Sequence, residues 1–246
     1  MANKLSEIDW FKWKGVSCRD YGIRVLTQPT IVRPVERVDY QDIPARSGSL
    51  AFLEGENIYD DITLECGCII ESADRIMDIC GWLRGYGTVE FAARPNGFYQ
   101  GRIANQVSFD KVVQGNPHRA FNLQFRCKPF FYLNSGNIAI TLSSNPQTLA
   151  NPGNVPSEPL IKLTGTGSDQ YIMCGGATML ITGFTGIGSL YLDCEEKLAY
   201  SIVSGQTTLM GGRIQGDWIQ LSEGNSYFTY SSGISSVEIT PRWRCI

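Results

Sequence analysis

A single histidine, His118, limits the chemistry available to this chain of 246 residues. Zinc sites built on two or more imidazoles and HExxH helices are excluded. A Ser-His-Asp or Cys-His site would have to use His118. That residue follows the polar stretch Gln114-Gly115-Asn116-Pro117, where a turn is the simpler expectation. Eight cysteines stand at 18, 66, 68, 80, 127, 174, 194 and 245 without a CxxC, which argues against a zinc ribbon or a thioredoxin-like pair. Cys66 and Cys68 lie two apart in an apolar run, so a strand would put both on one side. A metal needs more ligands than that pair, and no partner cluster is evident. The thiols therefore read as reduced, small, apolar core residues of a chain made in a cytoplasm.

Other reactive groupings are sparse. Asp60-Asp61 and the set Asp193, Glu195 and Glu196 are the acid clusters to weigh for glycoside hydrolysis, which needs two carboxyls facing one cleft. Adjacent acids at a strand end are more simply solvated. No GxxxxGK[ST] or GxGxxG loop occurs; Gly165-x-Gly167 fits a turn between strands. The second half is rich in aromatics, and Tyr171, Trp218, Tyr227 and Tyr230 are candidates for stacking on a sugar, although alternation would turn about half of such residues into the core. No catalytic, metal-binding or cofactor-binding residue is assigned, and no cofactor is expected.

Composition narrows the partners. Twenty-one basic and 24 acidic side chains leave a formal charge of −3, which offers no face for duplex DNA or an anionic membrane. The start, Met1-Ala2-Asn3-Lys4-Leu5-Ser6-Glu7, is polar and carries no secretory apolar segment. No charge occurs between Asp169 and Asp193, but Gly175, Gly176, Gly183, Gly186 and Gly188 break that stretch into turns, so no membrane insertion is expected.

The elements that must position these residues are mostly strands. Residues 1–133 hold 16 basic and 16 acidic side chains, whereas 134–246 hold 5 and 8, which divides the chain into two domains. A Pro/Asn/Ser-rich linker is expected at about 143–157. The first domain has one helix, capped by Ser72, with Ile76, Ile79, Cys80 and Leu83 on one stripe and Gly85 at its end. Strands are expected at 22–26, 35–40, 58–70, 88–92, 102–109 and 120–125. The polar connection Ala45-Arg46-Ser47-Gly48-Ser49 suits the tip of a long hairpin spanning 40–64. After 134, short runs at 160–164, 178–182, 189–192, 199–203, 218–221, 227–230 and 237–240 predict a β-sandwich.

Taken in order, several segments resemble the distal tail proteins of long-tailed siphophages and their prophages. They include Tyr21-Gly22-Ile23-Arg24-Val25, Leu83-Arg84-Gly85-Tyr86-Gly87, Phe125-Arg126-Cys127-Lys128-Pro129-Phe130, Pro159-Leu160-Ile161-Lys162-Leu163, Tyr191-Leu192-Asp193-Cys194-Glu195 and Pro241-Arg242-Trp243-Arg244. Ile43-Pro44-Ala45-Arg46-Ser47-Gly48 sits where that family has a Gly-Arg-x-Gly hairpin motif, with Ala45 in place of the first glycine.

The resemblance implies a mainly β fold: an N-terminal β-sandwich-like domain with one α-helix and a long β-hairpin, then a galectin-like or carbohydrate-module-like β-sandwich. It implies a non-catalytic virion protein at the tail tip, synthesised in the host cytoplasm. Six copies would form a ring joining the tail tube to the tail-tip hub protein, with receptor-binding or side-fibre proteins as further partners. DNA would pass through the channel without being specifically bound. Arg46, Ser47 and Gly48 would then lie at a contact between subunits. Two other readings stay open on the residues alone. One is a carbohydrate-binding protein contacting the host envelope; the other is a tail-borne hydrolase.

Overall fold

The computed structural model describes residues 9–53, 55, 57–111, 115 and 117–246. The polar start at 1–7 and positions 114 and 116 before His118 lie outside them. The chain is mainly β and divides into two compact units, Met1–Phe131 with Ile246, and Tyr132–Cys245.

In the first unit the two longest strands carry strict period-2 patterns. In β6 (Ile62–Ile70) residues Ile62, Leu64, Cys66, Cys68 and Ile70 are buried, and in β10 (Arg119–Cys127) Phe121, Leu123, Phe125 and Cys127 are buried. The two pair antiparallel over nine positions, from Ile62↔Cys127 to Ile70↔Arg119. Their outward sides are polar over Thr63 and Glu65 and over Asn122, Gln124 and Arg126, turning apolar at the Ile69↔Ala120 pair, and Gln124 Nε2 donates to Glu65 Oε1 across the ladder at 2.8 Å. The sheet runs in the order β2 (Val16–Ser17), β1 (Phe11–Trp13), β7 (Tyr86–Phe91), β8 (Gly97–Ile103), β10, β6 and β3 (Ile23–Thr27), with β9 (Asp110–Lys111) beside β10. A backbone bond from Val25 N to Asp9 O (3.0 Å) brings the β3 end round to the residues preceding β1. Inside the curl, Phe125 lies 5.6–5.7 Å from the rings of Phe91, Phe11 and Trp13.

The helix begins where Ser72 was expected to cap it: Asp74 N donates to Ser72 Oγ at 3.3 Å. A 3-10 turn (Ala73–Arg75) precedes α1 (Ile76–Trp82). The tighter first turn shifts the buried face, so Ile79 and Leu83 are buried, Cys80 is exposed and Trp82 takes the remaining place. Its indole stacks at 4.5 Å on Tyr21 and at 5.7 Å on Phe11. The strand expected at 102–109 lies at Gly97–Ile103 instead. Beyond it the Asn105 side chain completes the pairing with β10, accepting from Gln124 N and donating to Asn122 O, both at 2.8 Å.

The second unit is a sandwich of two antiparallel sheets. One runs β12 (Ile140–Thr141), β22 (Ile234–Thr240), β14 (Leu160–Gly165), β17 (Ser189–Asp193), β18 (Leu198–Val203) and β19 (Gln206–Leu209). The other runs β13 (Gln147–Asn151), β21 (Gly224–Tyr230), β15 (Gln170–Cys174), β16 (Ala177–Ile181) and β20 (Ile214–Gly216). Inward residues of both sheets, among them Ile161, Leu190, Val237, Ile172, Met179 and Phe228, form one core. The short β23 (Arg244–Cys245) pairs with β11 (Phe131–Leu133).

Two expectations need correction here. The stretch at 143–157 contains β13, an edge strand on β21, and Leu149 and Asn151 are buried. Pro146 and Pro152 flank it, and an edge position tolerates such neighbours. The run at 218–221 forms no ladder. Leu221 makes a single bridge to Ser157, while Asn151 Nδ2 donates to the Leu221 and Val155 carbonyls, so alternation there serves core filling alone.

Asp193 fastens the β17–β18 turn. Its carboxylate accepts from Glu195 N and Glu196 N at 3.2 Å and from both terminal nitrogens of Arg242 at 2.7 and 2.8 Å. Burial, the largest single influence, disfavours the charge, but the Arg242 hydrogen bonds and charge together with the Glu195 and Glu196 amides outweigh it and hold the carboxyl below its ordinary value. A lowered folded value means that the contribution is present above the ordinary carboxylate range and lost as pH falls through the folded value. Arg242→Met should therefore cost about 1.5–3 kcal/mol at neutral pH. In urea unfolding the difference from the parent chain should shrink toward pH 3; a difference independent of pH would contradict this role.

Candidate functional site

Between β3 and β6, which are hydrogen-bonded neighbours, the chain leaves the sheet and forms an arm. Its base is fixed by Asp60 N to Val35 O (2.9 Å) and Arg37 N to Ile58 O (3.0 Å). Further out, β4 (Val38–Gln41) pairs with β5 (Leu50–Leu53), and these two form a sheet of their own. The pairing is shorter than the 40–64 hairpin expected, because Ile62 onward belongs to β6 and the core. Directly opposed residues share a face, so Val38↔Leu53 and Tyr40↔Ala51 make one side entirely apolar. Tyr40 is 67% exposed and Leu53 64%. Ile31 and Val35, at the base, are exposed as well.

The tip carries the residues singled out in the sequence. Arg46, Ser47 and Gly48 are all exposed in the connection between β4 and β5, and Gly48 has φ +81°. Ala45 adopts φ +64°, the left-handed conformation that glycine takes without steric penalty. No ion pair of Arg46 is formed among the described residues. Charges of both signs stud the arm, with Arg33–Glu36 at 3.3 Å and Arg37–Asp60 at 3.0 Å. A two-stranded ribbon is marginally stable alone, and an uncovered apolar face of this kind marks a contact surface.

No protein-family model matches this sequence, and no curated protein matches it at a significant level. Solved structures do. The crystal structure of the Dit protein of phage SPP1, described as a paradigm of the hub adsorption apparatus in phages infecting Gram-positive bacteria, superposes with a TM-score of 0.71. The two are 17% identical, and the match covers 94% of this chain and 98% of that one. The chain has the Dit fold.

A chain of the phage P2 baseplate in its activated conformation with Ca is similar at a TM-score of 0.51 and 8% identity, covering 89% of both. The corresponding structure with Sr gives 0.50 and 8%, covering 94% of this chain and 97% of the other. Within this Dit fold the sequence-predicted aromatics of the second unit separate. Tyr171 and Tyr227 are exposed on the outward face of the β15–β21 sheet, Tyr230 is half-buried near the end of β21, and Trp218 is half-buried in the segment after β20. Tyr191 and Tyr200, which the sequence reading did not select, stack on each other across β17 and β18 at 5.2 Å and 5°. The Lys162 ammonium lies 6.0 Å from the Tyr191 ring centroid. Their ring faces are thus turned toward each other. Cross-strand register produces the pair, and no local sequence signal announces it.

Four of the five acids considered for hydrolysis are held by guanidinium groups. Asp60 pairs with Arg37, Asp61 with Arg126 (2.9 Å), and Asp193 and Glu195 with Arg242, while Tyr132 donates to Glu195 at 3.0 Å. His118 is half-buried in the coil leading into β10. All eight cysteines are free thiols, and six are buried. Burial pushes the Cys18 and Cys174 thiols up to about 11 and those of Cys127 and Cys194 to about 12. A disulfide-exchange reagent at neutral pH should therefore titrate exposed Cys80 fast and Cys245 more slowly. The buried thiols should react on unfolding, and Cys80→Ser should remove the fast phase. Fast reaction of Cys66 or Cys127 in the native protein would contradict the packing.

Proposed function

We propose that this chain is a structural, non-catalytic hub protein at the distal end of a long non-contractile phage tail. On this reading copies associate side by side into a closed ring of about six, joining the tail tube to the tail-tip hub. The ring serves as a docking platform for adsorption proteins, and the genome passes through its channel unbound.

The observation that carries the proposal is the arm between β3 and β6, with its two limbs tied to each other at the base and its apolar face uncovered. A closed ring needs a heterologous contact, one surface of each copy fitting a different surface of the next. A projecting ribbon with free edges supplies such a surface, through apolar cover and main-chain pairing. The opposed charges along it favour one register of contact over others. Likeness to the Dit protein of the SPP1 hub adsorption apparatus supports the same reading.

Light scattering of the purified chain should give a mass about six times its 27.3 kDa, with ring-shaped particles in negative stain. Replacing Tyr40 and Leu53 together by Asp should yield monomers with an unchanged far-ultraviolet spectrum, because both side chains are exposed in the single chain. Arg46→Glu should weaken the ring, most visibly at low salt. Intact rings in the double variant, or a parent chain that stays monomeric at its highest soluble concentration, would overturn the assembly proposed.

A further inference from the structure

The first unit carries a second uncovered surface. A cleft of about 490 Å3 opens where α1 ends and β7 begins, beside the end of β8. Gly85, at φ +80°, reverses the chain between helix and strand. The reversal brings Leu83 into the cleft with Ile103 and Val107, and leaves Tyr86 on its wall, 49% exposed and directly opposite Arg102 in the ladder. Cys80 lines the helix side of the cleft, and Met77, three residues before it on the same helix face, is 81% exposed.

The cleft is also cationic. Arg84 and Arg102 line it, and no acid among the described residues does. Neither guanidinium has a carboxylate partner among those residues. Lys14 Nζ donates to the Arg84 carbonyl at 2.6 Å, and a Cβ at Gly85 would stand 3.2 Å from it, so a third cation reaches the rim. Uncompensated like charges beside exposed apolar side chains mark a place where an acidic, partly apolar partner gains most.

We infer that this cleft receives the arm of a neighbouring copy of the chain, its apolar side lying against Met77, Leu83 and Tyr86 and its acids near Arg84 and Arg102. The inference rests on the ring reading and names the surface that the arm fits. The arm has the complementary character. Val38, Tyr40, Ala51 and Leu53 make one side apolar, and Asp39 and Asp42 are exposed and form no ion pair among the described residues. The two surfaces also leave the sheet at different strands. The arm departs from β3 and β6, the cleft lies at β7 and β8, and β10 stands between β6 and β8. Contact between two different patches of the same chain is heterologous, the kind that closes a ring. Symmetric pairing of two arms would hide the apolar sides but gather the acids of both copies and leave the cations of the cleft unpaired. A small anion would neutralise the arginines and leave Met77 and Tyr86 in solvent.

Cys80 supplies a natural reporter, since it is exposed in the cleft. A full chain carrying Ala51→Cys and Cys80→Ser is co-expressed with a size-tagged chain that keeps Cys80, and the assembly is treated with a short bismaleimide, which joins two thiols. A product containing one chain of each kind should form, and it should vanish when the tagged chain also carries Cys80→Ser. Ser47→Cys at the tip gives a second position should the first disturb the arm. Separately, Arg84→Glu with Arg102→Glu should raise the concentration at which rings dissociate by about tenfold or more at low salt, and adding Asp39→Lys and Asp42→Lys should bring it back toward the parent value. All four side chains are exposed in the single chain, so its far-ultraviolet spectrum should not change. Rings of the parent mass that give no linked product from either arm position, or that ignore the arginine substitutions, would overturn this inference and leave the ring reading standing. A parent chain that stays monomeric at its highest soluble concentration would overturn both.

Discussion

The nine-residue pairing of β6 with β10 is the interaction on which the first unit rests. It places Phe121, Leu123, Phe125 and Cys127 opposite Cys68, Cys66, Leu64 and Ile62, so two half-apolar strands bury one common face. Phe125 then anchors the aromatic group of Phe11, Trp13 and Phe91, and Phe11 in turn receives Trp82 from α1. The arm depends on the same pairing at one remove. It is the connection between β3 and β6, and β3 is held on β6 from Ile23↔Ile70 to Thr27↔Gly67. A ribbon too small to be stable alone is thereby aimed by a core that is not.

The second unit solves the same problem with two sheets. Its core needs only apolar side chains of suitable volume at alternate positions, a condition many sequences meet. That explains how 17% identity to the phage SPP1 Dit protein coexists with a match over nearly the whole of both chains. Fold of this kind says little about activity, which resides in particular surfaces. Here the surface that stands out is the arm of the first unit, where apolar groups face solvent.

Ionic groups play a supporting part. Arg242 and Arg244, two residues apart near the chain's end, hold Asp193 with Glu195 and Glu158 respectively. In each case a guanidinium supplies the counter-charge to carboxylates that are partly buried. Both acid clusters that the sequence offers for chemistry are thus engaged by arginines, Asp193 and Glu195 within the sandwich and Asp60 and Asp61 within the first unit.

Much of this was legible in the residues. The alternation in 62–70 and 119–127 dictates strands with one buried face, because side chains of a strand point alternately to its two sides. Ser72 marks the start of the helical segment through its own hydroxyl, and the lone histidine and scattered cysteines limit the chemistry before any coordinate is known. What needed the tertiary structure was everything set by partners distant in sequence. Whether 147–151 is linker or edge strand depends on β21, nearly eighty residues away. The run at 218–221 alternates like a strand yet finds no ladder beyond the single Leu221–Ser157 bridge, beside which Asn151 also donates to the Leu221 carbonyl. Trp218 and Tyr230 pack against the core of the second unit while Tyr171 and Tyr227 stand in solvent, a division that the sheets around them set. Local pattern determines which way a side chain faces; the long-range register of the sheets decides what it meets there.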